Sequence, residues 1–585
     1  MTSTRTTVAA QLLRLAKSLG VDFIFTNLGS DHPAFIQAFA VLEADAEGPE
    51  VICCPHEMTA LSAAHGYAMI TRRPQLVLVH VDVGTQNLGC SIHNVARARV
   101  PSIIIAGLSP LTLDGDRPGN RTEFIHYTQD VPAQSDIVRQ YMKWSYELRA
   151  AETVQQVMQR AYQVAASSPQ GPVYLTGARE VWEEQADLPP PRISPPAQMG
   201  GLTDDGMEQI WAALANARRP LVITSALGQA PEAVDLLVRL SERLELAVEE
   251  VTPQYMNFPG NHPNHVGYER NRHVAEADFI LVLDSDVPWM PVAVKPAAEA
   301  PVFLVDADPL KDAFGLWSYP VNASFRAETV TVLAQLVRKA EAAGLPSQAI
   351  LQARRDWIAG ARQAVALPPV TAGAEITPAS LSQAVADLIA DDQDIVVLME
   401  APTASPALMP RLRMSRSQSF FSSGGSGLGW AVNSAIGVKL ARPESTVVTI
   451  VGDGCYQFAV PSSAYWVAAT YDTPQLTVIL NNGGWNAPKR SSDMVHKTGG
   501  VAGAMDSYWI TVGRDARLAD IAAAAGGAAA YECSRPELLA ETLREALEIV
   551  RGGRSAVVSV VMSPISQQRL GRRTSNRTDG VPVEQ

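Results

Sequence analysis

Short apolar runs alternate with amphipathic stretches along most of the chain. An apolar stripe at helical spacing predicts an N-terminal helix that presents Val8, Leu12, Leu15 and Leu19 on one face. Four buried strands are predicted next, each followed by a turn and a helical pattern: Phe23–Asn27, Val51–Cys54, Leu76–Val81 and Ile103–Gly107. This alternation is typical of α/β domains, in which helices cover a mostly parallel sheet.

Two further regions repeat the alternation. The predicted strands of the second region are Pro220–Thr224, Ala247–Val251, Phe279–Leu283 and Val302–Asp306. Those of the third region are Ile395–Met399, Val447–Val451 and Leu476–Leu480. A proline-rich stretch at 183–200 and a weak pattern at 345–380 separate the regions. We therefore predict three doubly wound parallel-sheet α/β domains and a polar, arginine-containing tail, with the bounds 1–182, 201–345, 375–565 and 566–585.

Composition narrows the classes of function. The 585 residues are 47% hydrophobic, which is enough for several cores, and 18% charged, which favours large subunit interfaces. The net charge of −13 argues against a nucleic-acid partner. The five cysteines contain no CxxC pair, which is typical of a reduced, cytoplasmic protein. No apolar run approaches the length of about 18 residues that a membrane span requires, so no membrane partner is expected.

The most informative motif joins two predicted strands of the third region. The strand Val447–Val451 runs into Gly452-Asp453-Gly454, and the next strand runs into Asn481-Asn482-Gly483-Gly484. Parallel strands joined by one helix end at the same edge of a sheet, where α/β folds bind ligands. A carboxylate, an amide oxygen and nearby carbonyls suit Mg²⁺ or Ca²⁺. Either motif alone is more often an ordinary turn, but the two together favour a cation site.

A second candidate site follows the strand Val51–Cys54 in the first region. A helix begins there with Glu57 in its first turn, and small residues follow along it. A glutamate at a helix start is most often an acid that stabilises the helix dipole. The surrounding segment, His56-Glu57-x-x-Ala60-x-x-x-Ala64-x-Gly66-Tyr67-Ala68, is more specific than that.

Together these segments resemble the thiamine-diphosphate enzyme family, in particular its acetolactate-synthase-like group. The resemblance implies a pyrimidine-binding first domain, a central domain and a diphosphate-binding third domain. It implies that Mg²⁺ is bound by Asp453, Asn482 and the carbonyl of Gly484. It implies that Glu57 is the catalytic acid that hydrogen-bonds the cofactor's pyrimidine ring. Further cofactor contacts are implied at Gly452, Gly454 and Cys455 around the diphosphate.

A glycine-rich stretch, Ser422–Gly429, also resembles the family. The resemblance implies that Leu428 wedges under the cofactor and holds it bent, with further contacts at Thr403 and Ser426. Taken alone, the stretch could pass for a dinucleotide fingerprint. It lacks the full G-x-G-x-x-G pattern and its downstream acid. A nicotinamide cofactor is therefore disfavoured, and FAD is not indicated.

Substrate-side candidates are taken from both regions. Gln86 and His126 are predicted to take part in catalysis, and the predicted substrate contacts are Ser30, Asp31, His32, Trp485, Asn486 and Lys489. Histidines titrate near neutral pH and can carry protons, although a lone histidine is more often structural. The sequence is equally consistent with Trp485 as a wall of the substrate pocket and as a residue of the core. Some decarboxylating relatives have a glutamate six residues past the second asparagine, where this chain has Pro488.

The resemblance implies a homodimer or homotetramer that decarboxylates a 2-oxo acid or joins the resulting fragment to a second carbonyl compound. One alternative is a 2-hydroxyacyl-CoA lyase or CoA-linked decarboxylase, in which the arginines of the tail contact an acyl-CoA substrate. Another is a homologue without catalytic activity that binds thiamine diphosphate and regulates a partner. Glu57 and the complete cation motif argue against the last.

Overall fold

The structure is a computed structural model that describes residues 6–186, 188–268, 272–370, 373–390, 392, 394–496, 510–511 and 516–563. The predicted tail, 566–585, lies outside the described residues. Within these ranges no helix combines the length and apolarity needed to cross a membrane.

The first domain contains a six-stranded parallel sheet in the order β3-β2-β4-β5-β7-β6 and a short antiparallel pair, β1 and β8. Its strands are β1 Thr6–Thr7, β2 Phe23–Thr26, β3 Glu50–Cys53, β4 Gln75–Val79, β5 Ser102–Leu108, β6 Trp144–Leu148, β7 Pro172–Ala178 and β8 Gln185–Ala186. Its helices are α1 Val8–Ser18, α2 Pro33–Asp45, α3 Glu57–Thr71, α4 Val81–Asn87, α5 Ser91–Arg97, α6 Ile125–Thr128, α7 Val154–Ala166 and α8 Arg179–Glu183.

The predicted N-terminal helix is confirmed as α1. Its first turn is capped by Thr7, whose side chain accepts a hydrogen bond from the backbone N–H of Ala10. The predicted stripe is buried, since Val8, Leu12 and Leu15 are each at most 3% exposed. The helix therefore belongs to the core of the first domain.

The central domain contains a parallel sheet in the order β11-β10-β9-β12-β13-β14. Its strands are β9 Pro220–Thr224, β10 Ala247–Glu250, β11 His265–Gly267, β12 Phe279–Leu283, β13 Val302–Asp306 and β14 Ala323–Arg326. Its helices are α9 Asp204–Asn216, α10 Pro231–Leu244, α11 Thr329–Ala343 and α12 Gln348–Ala364.

Helix α12 extends the central domain beyond the predicted bound at residue 345. The buried guanidinium of Arg354 donates hydrogen bonds to the carbonyls of Leu214, Ala217 and Leu244, at 2.6 to 2.9 Å. Ile358, on the same helix, packs into the core on one face of the central sheet. These contacts join α12 to the central sheet, so the domain runs to about residue 364.

The third domain contains a parallel sheet in the order β16-β15-β17-β18-β20-β19. Its strands are β15 Ile395–Glu400, β16 Phe420–Ser422, β17 Thr446–Gly452, β18 Gln475–Asn481, β19 Ala529–Cys533 and β20 Ala556–Val561. Its helices are α13 Pro378–Ile389, α14 Ser405–Leu412, α15 Trp430–Ala441, α16 Asp453–Phe458, α17 Pro461–Thr470, α18 Asn486–Val495, α19 Leu518–Gly526 and α20 Leu539–Arg551.

The first and third sheets share one strand order, and the corresponding helices α3 and α15 pack against each other. A Cβ added to Gly66 of α3 would lie 2.0 Å from the carbonyl oxygen of Ser434. A Cβ added to Gly437 of α15 would lie 1.8 Å from the carbonyl oxygen of Ala63. Glycine at both positions therefore allows the two backbones to touch. The predicted fold class, three parallel α/β domains, is confirmed.

Candidate active site

Glu57 begins α3 at the carboxyl edge of the first sheet. The preceding residue, His56, caps the helix by accepting a hydrogen bond from the N–H of Met58 at 3.1 Å. Glu57 is only 6% exposed, and its carboxylate accepts a hydrogen bond from the side-chain amide of Asn87. Its other oxygen lies 3.2 Å from the position that a Cβ on Gly84 would take. The carboxylate is thus held beside the second half of α4, between Gly84 and Asn87.

Helix α4 carries one residue that the sequence analysis named and one that it missed. The predicted Gln86 is exposed, next to Asn87, which contacts Glu57. The sequence analysis predicts Gln86, but nothing in the spacing indicates which side-chain amide meets the carboxylate of Glu57. Asn87 is the residue that orients Glu57 in this structure.

His80, which the sequence analysis also missed, lies on the other side of Gly84. It follows β4, and its Cβ is 3.2 Å from the position of a Cβ on Gly84. Its Nδ1 lies 2.5 Å from the carboxylate of Asp31, which ends the loop after the neighbouring strand β2. The signal available in the sequence was a histidine directly after a buried strand and before Gly84. The predicted Ser30 is half-buried beside this pair, and its hydroxyl has no hydrogen-bond partner among the described residues.

The two predicted histidines are less open to a substrate than His80. His32 is 0% exposed, and its Nδ1 accepts a hydrogen bond from the N–H of Gly29 at 3.0 Å. His126 is 4% exposed, and its ring nitrogens face the N–H of Thr122 and the guanidinium of Arg179. Burial, followed by the charge of Arg179, lowers the pKa of His126. The structure therefore favours neutral His126 in a structural contact.

Asp453 follows β17 at the carboxyl edge of the third sheet. Its carboxylate accepts hydrogen bonds from the N–H groups of Gly454 at 2.7 Å, Gly483 at 2.8 Å and Gly484 at 3.1 Å. Burial raises the pKa of Asp453 to about 6, although these N–H groups act in the opposite direction. The two loops that follow β17 and β18 are thereby joined through one carboxylate.

The amide oxygen of Asn482 accepts a hydrogen bond from the same N–H of Gly484, also at 3.1 Å. The Asp453 and Asn482 oxygens therefore converge on one point. Within the described ranges no group of three or more His, Cys, Asp or Glu side chains is placed to hold a metal. A cation at this edge would depend on one carboxylate together with amide and carbonyl oxygens. Such a donor set fits Mg²⁺, which accepts few protein ligands when a phosphate supplies others.

The remaining predicted cofactor residues surround this edge. Gly452 is the residue before α16, and Cys455, in its first turn, is 6% exposed. Burial raises the pKa of the Cys455 thiol, so the thiol stays neutral. Thr403 is half-buried in the turn after β15, and Ser426 is exposed with a left-handed backbone, φ 62°.

Glu400, at the end of β15, organises the glycine-rich loop. Its carboxylate accepts hydrogen bonds from the N–H of Gly429 at 2.7 Å and the N–H of Ala431 at 2.8 Å. It therefore compensates the positive N-terminal end of α15. Burial raises the pKa of Glu400 to about 7 despite these bonds. The sequence does not indicate this residue, because an acid at the last position of an apolar strand carries no motif of its own.

Leu428 borders a cavity of about 750 Å³ between the three domains. The first domain holds the loop in place: the side chain of Asn94 donates to the carbonyl of Gly427 and accepts from its N–H, at 2.9 and 2.8 Å. Much of the wall is apolar, and polar groups include those of His93, Arg97 and Glu400. Apolar wall residues include Val287, Phe314 and Met399.

The three predicted substrate residues after β18 lie beside the Asp453 loop. The ring of Trp485 packs over Gly454, and it meets Phe458 edge-on with centroids 5.8 Å apart. Asn486 begins α18, and Lys489, in the first turn, is half-buried. The prediction that these residues contact the substrate stays a prediction.

Comparisons with known proteins agree with this geometry. The family profile "Thiamine pyrophosphate enzyme, N-terminal TPP binding domain" matches residues 6–137. The profile "Thiamine pyrophosphate enzyme, C-terminal TPP binding domain" matches residues 404–560. The first match includes the Glu57 edge and the second includes the Asp453 edge.

Relatives and solved structures span most of the chain. Benzoylformate decarboxylase of Pseudomonas aeruginosa is 24% identical, with 82% of this chain and 87% of that protein covered. Acetolactate synthase isozyme 3 large subunit of Escherichia coli is 25% identical, with 88% of each chain covered. The structure of the thiamine diphosphate-dependent 4-hydroxybenzoylformate decarboxylase of Rhodococcus jostii RHA1 superposes with a TM-score of 0.77 at 22% identity, covering 96% of this chain and 99% of that one. With both thiamine pyrophosphate-binding domains matched and the whole fold shared, the chain belongs to the family of thiamine pyrophosphate-dependent enzymes.

Proposed function

We propose that this protein is a thiamine-diphosphate- and Mg²⁺-dependent enzyme that decarboxylates a 2-oxo acid. The product carbon is protonated, or joined to an acceptor carbonyl as in acetolactate synthases. The observation that carries the proposal is that His80 and Glu57 approach the same point: Cβ of His80 and a carboxylate oxygen of Glu57 each lie 3.2 Å from the position of a Cβ on Gly84. A carbon that has lost carbon dioxide needs a proton, and a histidine beside the catalytic glutamate can supply it.

When bound, thiamine diphosphate supplies a nucleophilic carbon and accepts the electron pair that decarboxylation releases. In this proposal Glu57 hydrogen-bonds the pyrimidine ring, and Asn87 keeps its carboxylate oriented. Leu428, in the glycine-rich loop, would support the cofactor from below. Asp453, Asn482 and the Gly484 carbonyl hold Mg²⁺, while the start of α16 at Gly452–Cys455 faces the diphosphate. A helix N-terminus favours such an anion.

The cavity supports a donor larger than pyruvate. Its volume of about 750 Å³ and its apolar wall suit an aromatic 2-oxo acid beside the cofactor. The relative from Pseudomonas aeruginosa is named for benzoylformate, an acid of this kind. We therefore place arylglyoxylates first among the candidate donors and pyruvate second.

A homodimer or homotetramer is part of the proposal. Glu57 and Asp453 lie on different sheets, and their described hydrogen bonds remain within their own domains. Large apolar side chains are exposed in the first domain, including Leu28 at 37%, Val83 at 39% and Phe124 at 77%. We infer that a second copy covers them with its third domain, which then faces this Glu57. A cytoplasmic location stays a prediction.

The test is carbon dioxide release from a panel of 2-oxo acids that includes benzoylformate and pyruvate, with and without thiamine diphosphate and Mg²⁺. Release that needs both cofactors, and that is fastest with the aromatic acid, is expected. Tight cofactor binding without release from any acid would contradict the decarboxylase proposal. It would favour the CoA-linked lyase, which needs a separate assay of aldehyde release from a 2-hydroxyacyl-CoA, because that cleavage releases no carbon dioxide.

A further inference from the structure

Asp31 is buried at the carboxyl edge of the first sheet, and three groups converge on it. It is 2% exposed, and one of its oxygens lies 2.5 Å from Nδ1 of His80. Its other oxygen accepts a hydrogen bond from the N–H of Val81 at 3.1 Å and lies 3.2 Å from Nε2 of His32. A carboxylate so placed has little contact with solvent, so its charge acts mainly on the imidazoles of His80 and His32.

Two glycines leave room for this pair. A Cβ on Gly107, in the adjacent strand β5, would lie 1.7 Å from an oxygen of Asp31. A Cβ on Gly29 would lie 2.1 Å from Nδ1 of His80. Any side chain at either position would displace the carboxylate or the imidazole. The two glycines are therefore independent evidence that the fold accommodates the contact between Asp31 and His80.

The contacts determine where the protons lie. Burial alone raises the pKa of Asp31, but His32 and His80 outweigh it, so its pKa lies below the usual range. An ionised carboxylate only accepts hydrogen bonds, so Nδ1 of His80 must carry a proton. In His32, Nδ1 accepts from Gly29, so the proton of the neutral ring is on Nε2, which lies 3.2 Å from an oxygen of Asp31 without a hydrogen bond to it.

The other nitrogen of His80 faces a partner that serves both protonation states. Its Nε2 lies 2.9 Å from the side-chain oxygen of Gln129, whose backbone carbonyl accepts a hydrogen bond from the hydroxyl of Ser109 at 2.7 Å. A carboxamide accepts from a protonated Nε2 and, after rotating, donates to a bare one. Nε2 can therefore lose and regain a proton without losing its partner.

We propose that Asp31 is a positioning residue that fixes His80 as the Nδ1–H tautomer and leaves Nε2 as its proton-exchanging nitrogen. This inference rests on the proposed function. The proton on Nε2 goes to the product carbon, His80 changes from imidazolium to neutral imidazole, and solvent returns a proton to Nε2 past Gln129. The Nδ1 proton stays on His80 throughout, hydrogen-bonded to Asp31.

Other titratable groups face this pair from the surrounding elements. Asp82 lies in the first turn of α4, two residues after His80, and its charge also raises the pKa of His80. Glu57 lies across Gly84 on α3, and His126 on α6 interacts with Asp31 at longer range. Burial raises the pKa of Tyr174 on β7, and the charges of Asp82 and Asp31 act in the same direction. Asp82 offers the matched control, because its removal takes away a nearby charge and leaves the bond to Nδ1 in place.

The experiment compares Asp31→Asn with Asp82→Asn in the full-length protein, labelled with ¹⁵N-histidine, with His80→Gln identifying the resonances. In the wild type, the proton on Nδ1 of His80 should persist across the titration. In Asp31→Asn, neutral His80 should populate both tautomers and its pKa should fall by about one unit or more. The value of kcat should fall about 10- to 100-fold with little change in KM. Asp82→Asn should keep the tautomer and shift the pKa less.

The wild-type spectrum alone can overturn the inference, by showing the proton of neutral His80 on Nε2. Equal pKa shifts in the two variants, or an unchanged tautomer in Asp31→Asn, would also overturn it. If Asp31→Asn does not fold, the wild-type titration still decides the tautomer. The spectra need no turnover, so a fixed tautomer in a protein that releases no carbon dioxide would contradict the proposed reaction and support the positioning of His80.

Discussion

The first and third domains have the same strand order, yet their carboxyl edges carry different chemistry. In the first domain the strand ends present Asp31, Glu57 and His80, whose carboxylates and imidazole are groups that can bind and release protons. In the third domain they present Asp453, Asn482 and a glycine-rich loop, whose oxygens and N–H groups suit a cation and a diphosphate. One scaffold thus serves two tasks, and the task is decided by a few residues directly after the strands.

The largest effect should come from replacing Glu57 at the carboxyl edge of the first sheet. Glu57→Gln should lower kcat for carbon dioxide release about 10²- to 10⁴-fold, because the amide cannot supply the carboxyl group in contact with the pyrimidine. Thiamine diphosphate should still bind, as measured by calorimetry. Glu50→Gln, an exposed acid that begins β3, is the control and should leave kcat unchanged. Unchanged turnover in Glu57→Gln would end the catalytic assignment.

Replacing Asp453 at the carboxyl edge of the third sheet should weaken the binding of the cation and the cofactor before it affects turnover. Asp453→Asn should weaken Mg²⁺ binding about 10- to 100-fold, and thiamine diphosphate binding with it, because the neutral amide is a poorer ligand. Calorimetry with Mg²⁺ alone and with both ligands measures the change. Asp493→Asn, an exposed acid on α18, should bind both normally. Equal affinities in the two variants would contradict the cation site.

The packing between the two domains should tolerate no side chain at the α3–α15 crossing. Gly437→Ala should lower the free energy of unfolding by about 1 to 3 kcal/mol, because the added Cβ meets the carbonyl of Ala63. Gly360→Ala on α12 is the control, since nothing lies within 4 Å of its added Cβ. The control should gain up to about 1 kcal/mol from helix propensity. Chemical denaturation measures both, and equal values would contradict the close crossing.

The smallest effect concerns the pH dependence of stability. Although burial alone lowers the pKa of His80, Asp31 raises it, so the stabilisation is complete below the ordinary value of 6.5 and is lost as pH rises through the folded value. The pKa of Asp31 is lowered, so its contribution is present above the ordinary value of 3.8 and is lost as pH falls through the folded value. The difference in Tm between the wild type and Asp31→Asn should therefore be largest between these pH values. A difference independent of pH would contradict the ion pair.

Most buried strands could be predicted from the sequence, and so could the edge strand β3, whereas the edge strands β6 and β14 could not. The bounds of β9, β12 and β13 agree with the prediction because these strands are continuous apolar runs. The edge strands β6 and β14 escaped the prediction because only one side of each is paired, so their sequences, WSYEL and ASFR, are partly polar. Helix α12 also escaped, because nearby prolines concealed its pattern.

Residues of the site could be predicted where a motif surrounds them. Asp453 and Asn482 lie one helix apart at the same edge, and their oxygens converge as the strand pattern indicated. Asn87, His80 and Glu400 have no such motif, and each is defined by a neighbour from a different strand or loop. Such contacts depend on tertiary packing, which local spacing does not encode.

Mixing the Glu57→Gln and Asp453→Asn variants tests most directly whether the first and third domains supply different parts of one active site. If one active site joins the first domain of one copy to the third domain of another, each mixed dimer contains two active sites. One of them carries both substitutions, and the other carries neither and is intact. We predict that, at cofactor concentrations that leave Asp453→Asn unsaturated, the mixture releases carbon dioxide from the preferred 2-oxo acid faster than either variant alone. A mixture as inactive as its parts, despite demonstrated exchange of subunits, would contradict the account.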